Sequence, residues 1–420
     1  MAHTLTTLSG LFLEKIVKKV TENVPMFGII QDKVPMSEAD AIGSQFKIPV
    51  VLSIEQGVTY AANNAGAFAL NASIDGNIVY ATCNGTNIAL RSTIADETIY
   101  SSQSTDRSIE EALTRVAMLN AISHRKRLEI ALIHGQMAKG IVKAVVSLTV
   151  EFTPETFSGA MWAGMKGAAV DFFTPDGVTL RVSTTITSVD TVNRKLTVAA
   201  VTNVVAGDMI QFKGACTAGP TWSEMAGLRK IGATVSGGTT LFGIDVVNDL
   251  WCSNYAADGL VNYCSESILL DMRALILDKG GEDPEYTALM HPYQFNKMQN
   301  DLAAARQFDS SYAMAKGETG FKRLLFAAPG GGTIEPLAHP FMFPGDVILL
   351  SWKNCRRPGA QDFTFNKRGG GLGEGRWDVN GEYVTDLVDT AGKQIRSFSN
   401  GCIFYDPPAH MAYRTTLKST

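Results

Sequence analysis

The sequence predicts an α+β fold, and three observations carry the prediction. Phe46, Ile48, Val50, Leu52 and Ile54 alternate with other residues, the two-residue period of a strand. Residues 109–134 hold neither Gly nor Pro and read as one unbroken helix, about 40 Å long at 1.5 Å per residue. Short strands then recur over 177–235: Val178, Leu180 and Val182; Leu196, Val198 and, after a bulge, Val201; and Met209–Phe212 behind the turn Ala206-Gly207-Asp208. That rhythm predicts a small barrel or sandwich.

Taken in order, Leu5, Leu8, Phe12, Ile16 and Val20 recur at three- and four-residue spacing, which predicts an amphipathic arm helix ended by Pro25 and Gly28. Residues 29–100 carry almost no helix signal. Gly57, Asn63, Asn64, Gly66, Gly76 and Gly85 break them into a long two-stranded excursion. An isolated hairpin is only marginally stable in water, so this one is expected to lie on something. Ser108-Ile109-Glu110-Glu111 fits a capping box for the long helix, and Gly135 provides its stop.

Ile141–Val150 reads as one strand. Ile268, Leu269, Met272, Leu275 and Ile276 give a helix an apolar face, and Lys279-Gly280-Gly281 ends it. A strand over Tyr286–Met290 leads to His291-Pro292, which opens a further helix with Pro at its first position. After a loop-like stretch to residue 333, Pro344-Gly345-Asp346 turns into the apolar strand Val347–Leu350, and the tail to 420 reads as strands.

Composition narrows the function. A chain of 420 residues is expected to divide into two or three lobes. Its 37 basic and 41 acidic residues give a net charge of −4, against the basic surplus of a charge-driven nucleic-acid binder. Cys83, Cys216, Cys252, Cys264, Cys355 and Cys402 form no CxxC pair and read as buried small hydrophobes in a reducing compartment. Neither a secretory leader nor a membrane-spanning segment is expected, since no apolar run approaches ~20 residues.

No catalytic, cofactor-binding or metal-binding residue emerges. Gly369-Gly370-Gly371-Leu372-Gly373-Glu374-Gly375 lacks the flanking strand, helix and Lys-Ser/Thr of a phosphate cradle and reads as a mobile loop. Ser44-Gln45-Phe46-Lys47 spells SxxK but falls on strand alternation, without the partner motifs of an acyl-enzyme site. His3, His124, His134, His291, His339 and His410 form no metal-binding spacing and are assigned surface or capping roles. The pairs Glu110/Glu111 and Asp283/Glu285 fall at helix starts or loops.

The order of parts resembles the major capsid protein of tailed bacteriophages, the HK97-like fold. The resemblance is carried by the long β excursion, the single long helix, the strand running into His291-Pro292-Tyr293-Gln294-Phe295-Asn296-Lys297-Met298, and the late Pro340-Phe341-Met342-Phe343-Pro344-Gly345-Asp346-Val347-Ile348 segment. It implies an N-terminal arm over 1–45, an extended E-loop over 46–102 lying on a neighbouring subunit, and a peripheral domain with its spine helix over 103–176. It further implies an axial domain over 236–375 and C-terminal strands over 376–420 returning to the peripheral domain. The β-rich block 177–235 departs from the minimal fold as an inserted domain, expected on the outer face.

The implied role is structural: a virion shell of hexamers and pentamers around dsDNA, assembled in the host cytoplasm. Its implied partners are further copies of the chain, portal and scaffolding proteins, cement proteins in some members, and weak non-specific contact with DNA. No Lys–Asn–Glu crosslinking triad maps onto the sequence. The rival readings are a β-rich tail or adhesin protein, for which no internal repeat is visible, and a hydrolase with an unfamiliar site.

Overall fold

The structure, a computed structural model, describes residues 28–37, 45–64, 66–102, 112–219, 221–235, 240–247, 249–305, 325–365, 376–377, 383–387 and 390–419. The arm helix over 5–20, the capping box at 108–111 and the glycine loop 369–375 lie outside them. The chain divides into two compact units, one from residues 1–24, 89–124 and 364–398, the other from 25–88, 125–363 and 399–420.

The smaller unit is built on Ile94, Ile99, Ala117 and Ile395, all buried together. Its strand Tyr383–Asp386 pairs antiparallel with Lys393–Ile395 on one side and with Arg376–Trp377 on the other. The stretch expected to be free of helix holds a short one here, Asp96–Ser102, with Asp96 and Glu97 in its first turn, where carboxylates suit the positive helix end.

In the larger unit, the long helix ends where the sequence places its stop. It is described over Ala112–His134, and Gly135 donates to the Ala131 carbonyl oxygen at 2.8 Å. A side chain at Gly135 would overlap the carbonyls of Met225 and Ala131. The last two turns are buried nearly all round rather than along one stripe. Lys126, Glu129 and His134 are as buried as Ile130 and Leu132.

The β-rich block is a six-stranded antiparallel sheet in the order Met209–Phe212, Ala169–Phe173, Leu180–Asp190, Lys195–Val198, Thr149–Phe152, Val142–Val146. Its two edges meet: the Lys139 and Val142 amides donate to the Ile210 and Asp208 carbonyls at 3.0 and 2.8 Å, which closes the sheet into a small barrel. Val150, Phe152, Phe172, Leu196 and Trp162 fill it. The barrel takes strands from both sides of residue 177, so the expected insertion bounds 177–235 do not coincide with it. The cause is local. Ile141–Val150 is two strands, because Ser147 takes φ 54 and the chain reverses there, bringing the second half beside Lys195–Val198.

A second six-stranded sheet runs Asn254–Ala257, Ala412–Thr415, Val347–Leu350, Glu285–Met290, Thr333–Ala338, Phe326–Ala327. The helices Glu266–Asp278 and Pro292–Ala305 cover its core of Leu269, Met272, Ile276, Met298 and Val347. The first helix ends in a Schellman motif: Gly281 donates to Ile276 and Gly280 to Leu277, with Gly280 at φ 82. The second opens at Pro292, and the Tyr293 amide donates to His291 Nδ1 at 3.1 Å. The strand Ala412–Thr415 lies inside this sheet, so part of the expected C-terminal range 376–420 belongs with the region expected to be axial. Tyr413, fully buried in that strand, donates its hydroxyl to Asp346 at 2.8 Å.

Candidate assembly surface

The excursion read from the sequence is a two-stranded antiparallel hairpin, Gln45–Ser53 against Asn77–Asn84. Alternation decides which face looks inward. Val50, Leu52, Ala81 and Cys83 are buried against the core of the larger unit, with Phe46, Ile48 and Val79 partly buried beside them. Phe46 meets the Phe404 ring edge-on at 6.1 Å, and the Thr82 amide donates to the Phe242 carbonyl at 2.7 Å. Ile54, assigned to the same alternation, is exposed because the register slips between Val51 and Ser53.

The opposite face is the unexpected one. A hairpin lying on its own domain should carry polar residues there. Instead Val51 pairs across with Ile78 and Pro49 with Tyr80, all turned to solvent. Val51 is 57 %, Ile78 65 % and Tyr80 68 % exposed. Beyond the strands, Ile54, Val58, Tyr60 and Leu70 are exposed as well, Tyr60 at 92 %. At the hairpin's flank a cavity of about 460 Å³ opens between Leu52, Val79 and Tyr80 and the loop residues Ile244 and Val247. The inward alternation is legible in the sequence; the outward apolar pairs were not anticipated from it. Their signal was there in Pro49-Val50-Val51 and Ile78-Val79-Tyr80, runs too apolar for a hairpin wet on one side.

Groups with catalytic chemistry are engaged elsewhere. Glu129 accepts from the Ile30 amide at 2.7 Å and from His339 Nε2 at 3.0 Å. Arg229 Nε donates to Asp346 at 2.6 Å, and its Nη1 reaches His134 Nδ1 at 3.1 Å. His134 Nε2 donates to the Phe341 carbonyl at 2.7 Å. Burial and the Arg229 charge hold the His134 imidazole well below its ordinary range, which keeps it neutral in that arrangement. Lys139 pairs with Glu224. None of these groups lines the cavity at the hairpin's flank.

Three of the histidines assigned to surface or capping roles, His124, His134 and His339, are therefore buried instead, His124 against Ser397 Oγ at 2.9 Å. His291 keeps its capping role. Lys47 sits exposed on the hairpin strand. Asp283 accepts from Asn354 at 2.8 Å, and Glu285 begins a strand. All six cysteines are free and buried. Among the described residues, no three His, Cys, Asp or Glu side chains gather to hold a metal, and no helix is long and apolar enough to cross a membrane.

Among solved structures, the chain is similar to the cyanophage A-1(L) capsid asymmetric unit. The TM-score is 0.60 at 11 % identity, covering 99 % of this chain and 100 % of that one. The chain has the HK97-like capsid fold. It is similar also to the capsid of a native GTA particle, at TM-score 0.52 and 10 % identity over 99 % of both chains, and of an empty GTA particle, at 0.50 and 9 % over 99 % and 100 %. No protein-family profile matches the sequence, and no curated protein matches it. At these identities the likeness is one of backbone, and the capsid fold here carries a hairpin with an apolar patch, Pro49–Tyr80 and Val51–Ile78, between polar pairs on its exposed face.

Proposed function

We propose that the chain is a major capsid protein, a structural subunit that assembles with copies of itself into the icosahedral head of a tailed phage. The observation that carries this reading is the solvent-turned apolar face of the hairpin, with Val51–Ile78 and Pro49–Tyr80 as its cross-strand pairs. Burying a large apolar side chain is worth roughly 1.5–3 kcal/mol. Covering these four, each already partly buried, contributes roughly 4–7 kcal/mol before the costs of association. Such a surface is a liability on a monomer and an asset in a lattice, where many modest contacts act together.

In this reading residues 1–45 are the arm, 46–102 the E-loop laid over a neighbour, and the long helix the spine of the peripheral domain. The barrel braces or decorates the shell. The subunit does no chemistry, because its buried acids and bases hold one another and the backbone. Scaffolding and portal proteins are its assembly partners in the host cytoplasm, and packaged dsDNA touches it weakly, in keeping with the net charge of −4.

Negative-stain electron microscopy of the chain, expressed alone and with its neighbouring genes, tests the reading. Closed shells or regular hexamers are expected. A monodisperse monomer under both conditions would overturn it.

A further inference from the structure

We propose that a second, smaller cavity beside the hairpin base is a binding site for an oxyanion group, carboxylate or phosphate, held by Lys230. The cavity measures about 150 Å³ and is lined by Lys230, Thr82, Asn84, Gln136 and Thr240 on its polar side. That is room for several waters or one small anion.

Lys230 stands on the short helix Leu228–Gly232 and is half-buried. Other buried cations of this unit have partners: Lys139 faces Glu224, Arg229 faces Asp346 and Arg357 faces Asp362, while Lys126 and Arg273 donate to backbone carbonyls. Lys230 faces none among the described residues, and burial alone pulls its ammonium below the ordinary lysine range. An ammonium withdrawn from water without a counter-charge is unfavourable, and an anion entering the cavity removes that penalty.

The neighbours suit the same ligand. The side chains of Thr82, Asn84 and Thr240 donate to no other group among the described residues and line the same cavity as Lys230, Asn84 and Thr240 at its exposed rim. Gln136 is already spent, donating from Nε2 to the Glu224 carbonyl at 3.0 Å, and so forms wall rather than ligand. A charge-assisted contact to Lys230 with neutral donors around it is the arrangement that binds a compact oxyanion. The site does not depend on the shell reading, since it exists within one subunit. If the shell reading holds, a carboxylate from an adjoining copy is the second source of the same chemistry.

Isothermal titration calorimetry of the full chain with inorganic phosphate and with acetate, at constant ionic strength, tests the site. Saturable binding is expected, at least tenfold weaker in Lys230→Met and unchanged in Lys166→Met, whose lysine is exposed outside the cavity. Should Lys230→Met fail to fold, acetylation of the wild-type chain by acetic anhydride, read by peptide mass spectrometry, serves instead. Phosphate should slow modification at Lys230 several-fold and leave Lys166 unaffected. Carbodiimide treatment of assembled material distinguishes the source: an amide between Lys230 and an Asp or Glu of another copy assigns the anion to the neighbour. Absence of saturable binding, together with unprotected Lys230 and no such crosslink, overturns the proposal.

Discussion

Val51 and Ile78 face each other across the hairpin, and both turn their side chains to water. The same two strands bury Val50, Leu52, Ala81 and Cys83 on the other face. The hairpin therefore carries apolar side chains on both sides, with only one side covered by its own subunit and the other bearing an apolar patch between Lys47–Thr82 and Ser53–Asn77. The double substitution Val51→Thr/Ile78→Thr keeps β-branched side chains, which suit a strand. It should change subunit stability by no more than about 0.5 kcal/mol, as surface substitutions do. Denaturant unfolding checks that, and the assembled fraction should fall sharply at the same protein concentration.

His291 makes the second prediction. Its Nδ1 accepts the Tyr293 amide at the mouth of the helix Pro292–Ala305, so the ring must be neutral at that nitrogen. Burial, reinforced by His339, brings its pKa down to about 4. A folded pKa below the unfolded one means the unfolded chain binds the proton first. Stability is thus full above about pH 6.5 and is lost as pH falls towards 4, by roughly 3 kcal/mol at 1.4 kcal/mol per unit. His291→Asn keeps a capping acceptor and does not titrate. Unfolding midpoints across this window should flatten by that amount in the variant.

Lys126 has the same logic at the alkaline end. It is 2 % exposed, donates to the Ala163 carbonyl at 2.6 Å and lies 5.7 Å from the centre of the Phe341 ring. Burial, with Arg127 beside it, lowers its pKa to about 8. Between about pH 8 and 10.5 the unfolded chain holds the proton that the folded one has lost, so stability rises with pH there. Lys126→Met preserves the stem and removes the charge. It should raise stability near pH 7 by roughly 1–3 kcal/mol and reduce the alkaline rise, which thermal unfolding at pH 7, 8, 9 and 10 would register.

Glu129 ties three distant segments together, accepting from the amide of Ile30, the side chain of Gln31 and the ring of His339. Glu129→Ala leaves buried donors without an acceptor and should cost about 3–5 kcal/mol in urea unfolding. Glu129→Gln, which retains one acceptor oxygen, should cost less.

Much of the architecture was legible because it rests on local physics. Strand alternation at Phe46–Leu52, the Gly135 stop, the Lys279-Gly280-Gly281 terminus and the Pro292 helix start each depend on a few neighbouring residues. What escaped depends on residues distant in sequence. Nothing near Ser147 announces that the chain reverses there to complete a barrel with strands 50 residues on. Nothing near Tyr413 says that its strand will sit between residues 254–257 and 347–350. The buried polar groups escaped for a related reason. His134 and His339 read as surface or capping residues because their partners, Arg229 and Phe341 for the one and Glu129 for the other, lie far along the chain. The hairpin was visible as an excursion too thin to stand alone, while its outward apolar pairs required the register.

The central claim is that the outward face of the hairpin is covered by a neighbouring copy in a shell. Sedimentation velocity of the full chain and of Val51→Thr/Ile78→Thr, each co-expressed with the neighbouring genes, tests it most directly. The account predicts that the parent chain sediments as hexamers or shells and that the variant, equally folded, sediments mainly as monomer. Equal assembly of the two proteins, or monomer alone for both, would contradict it.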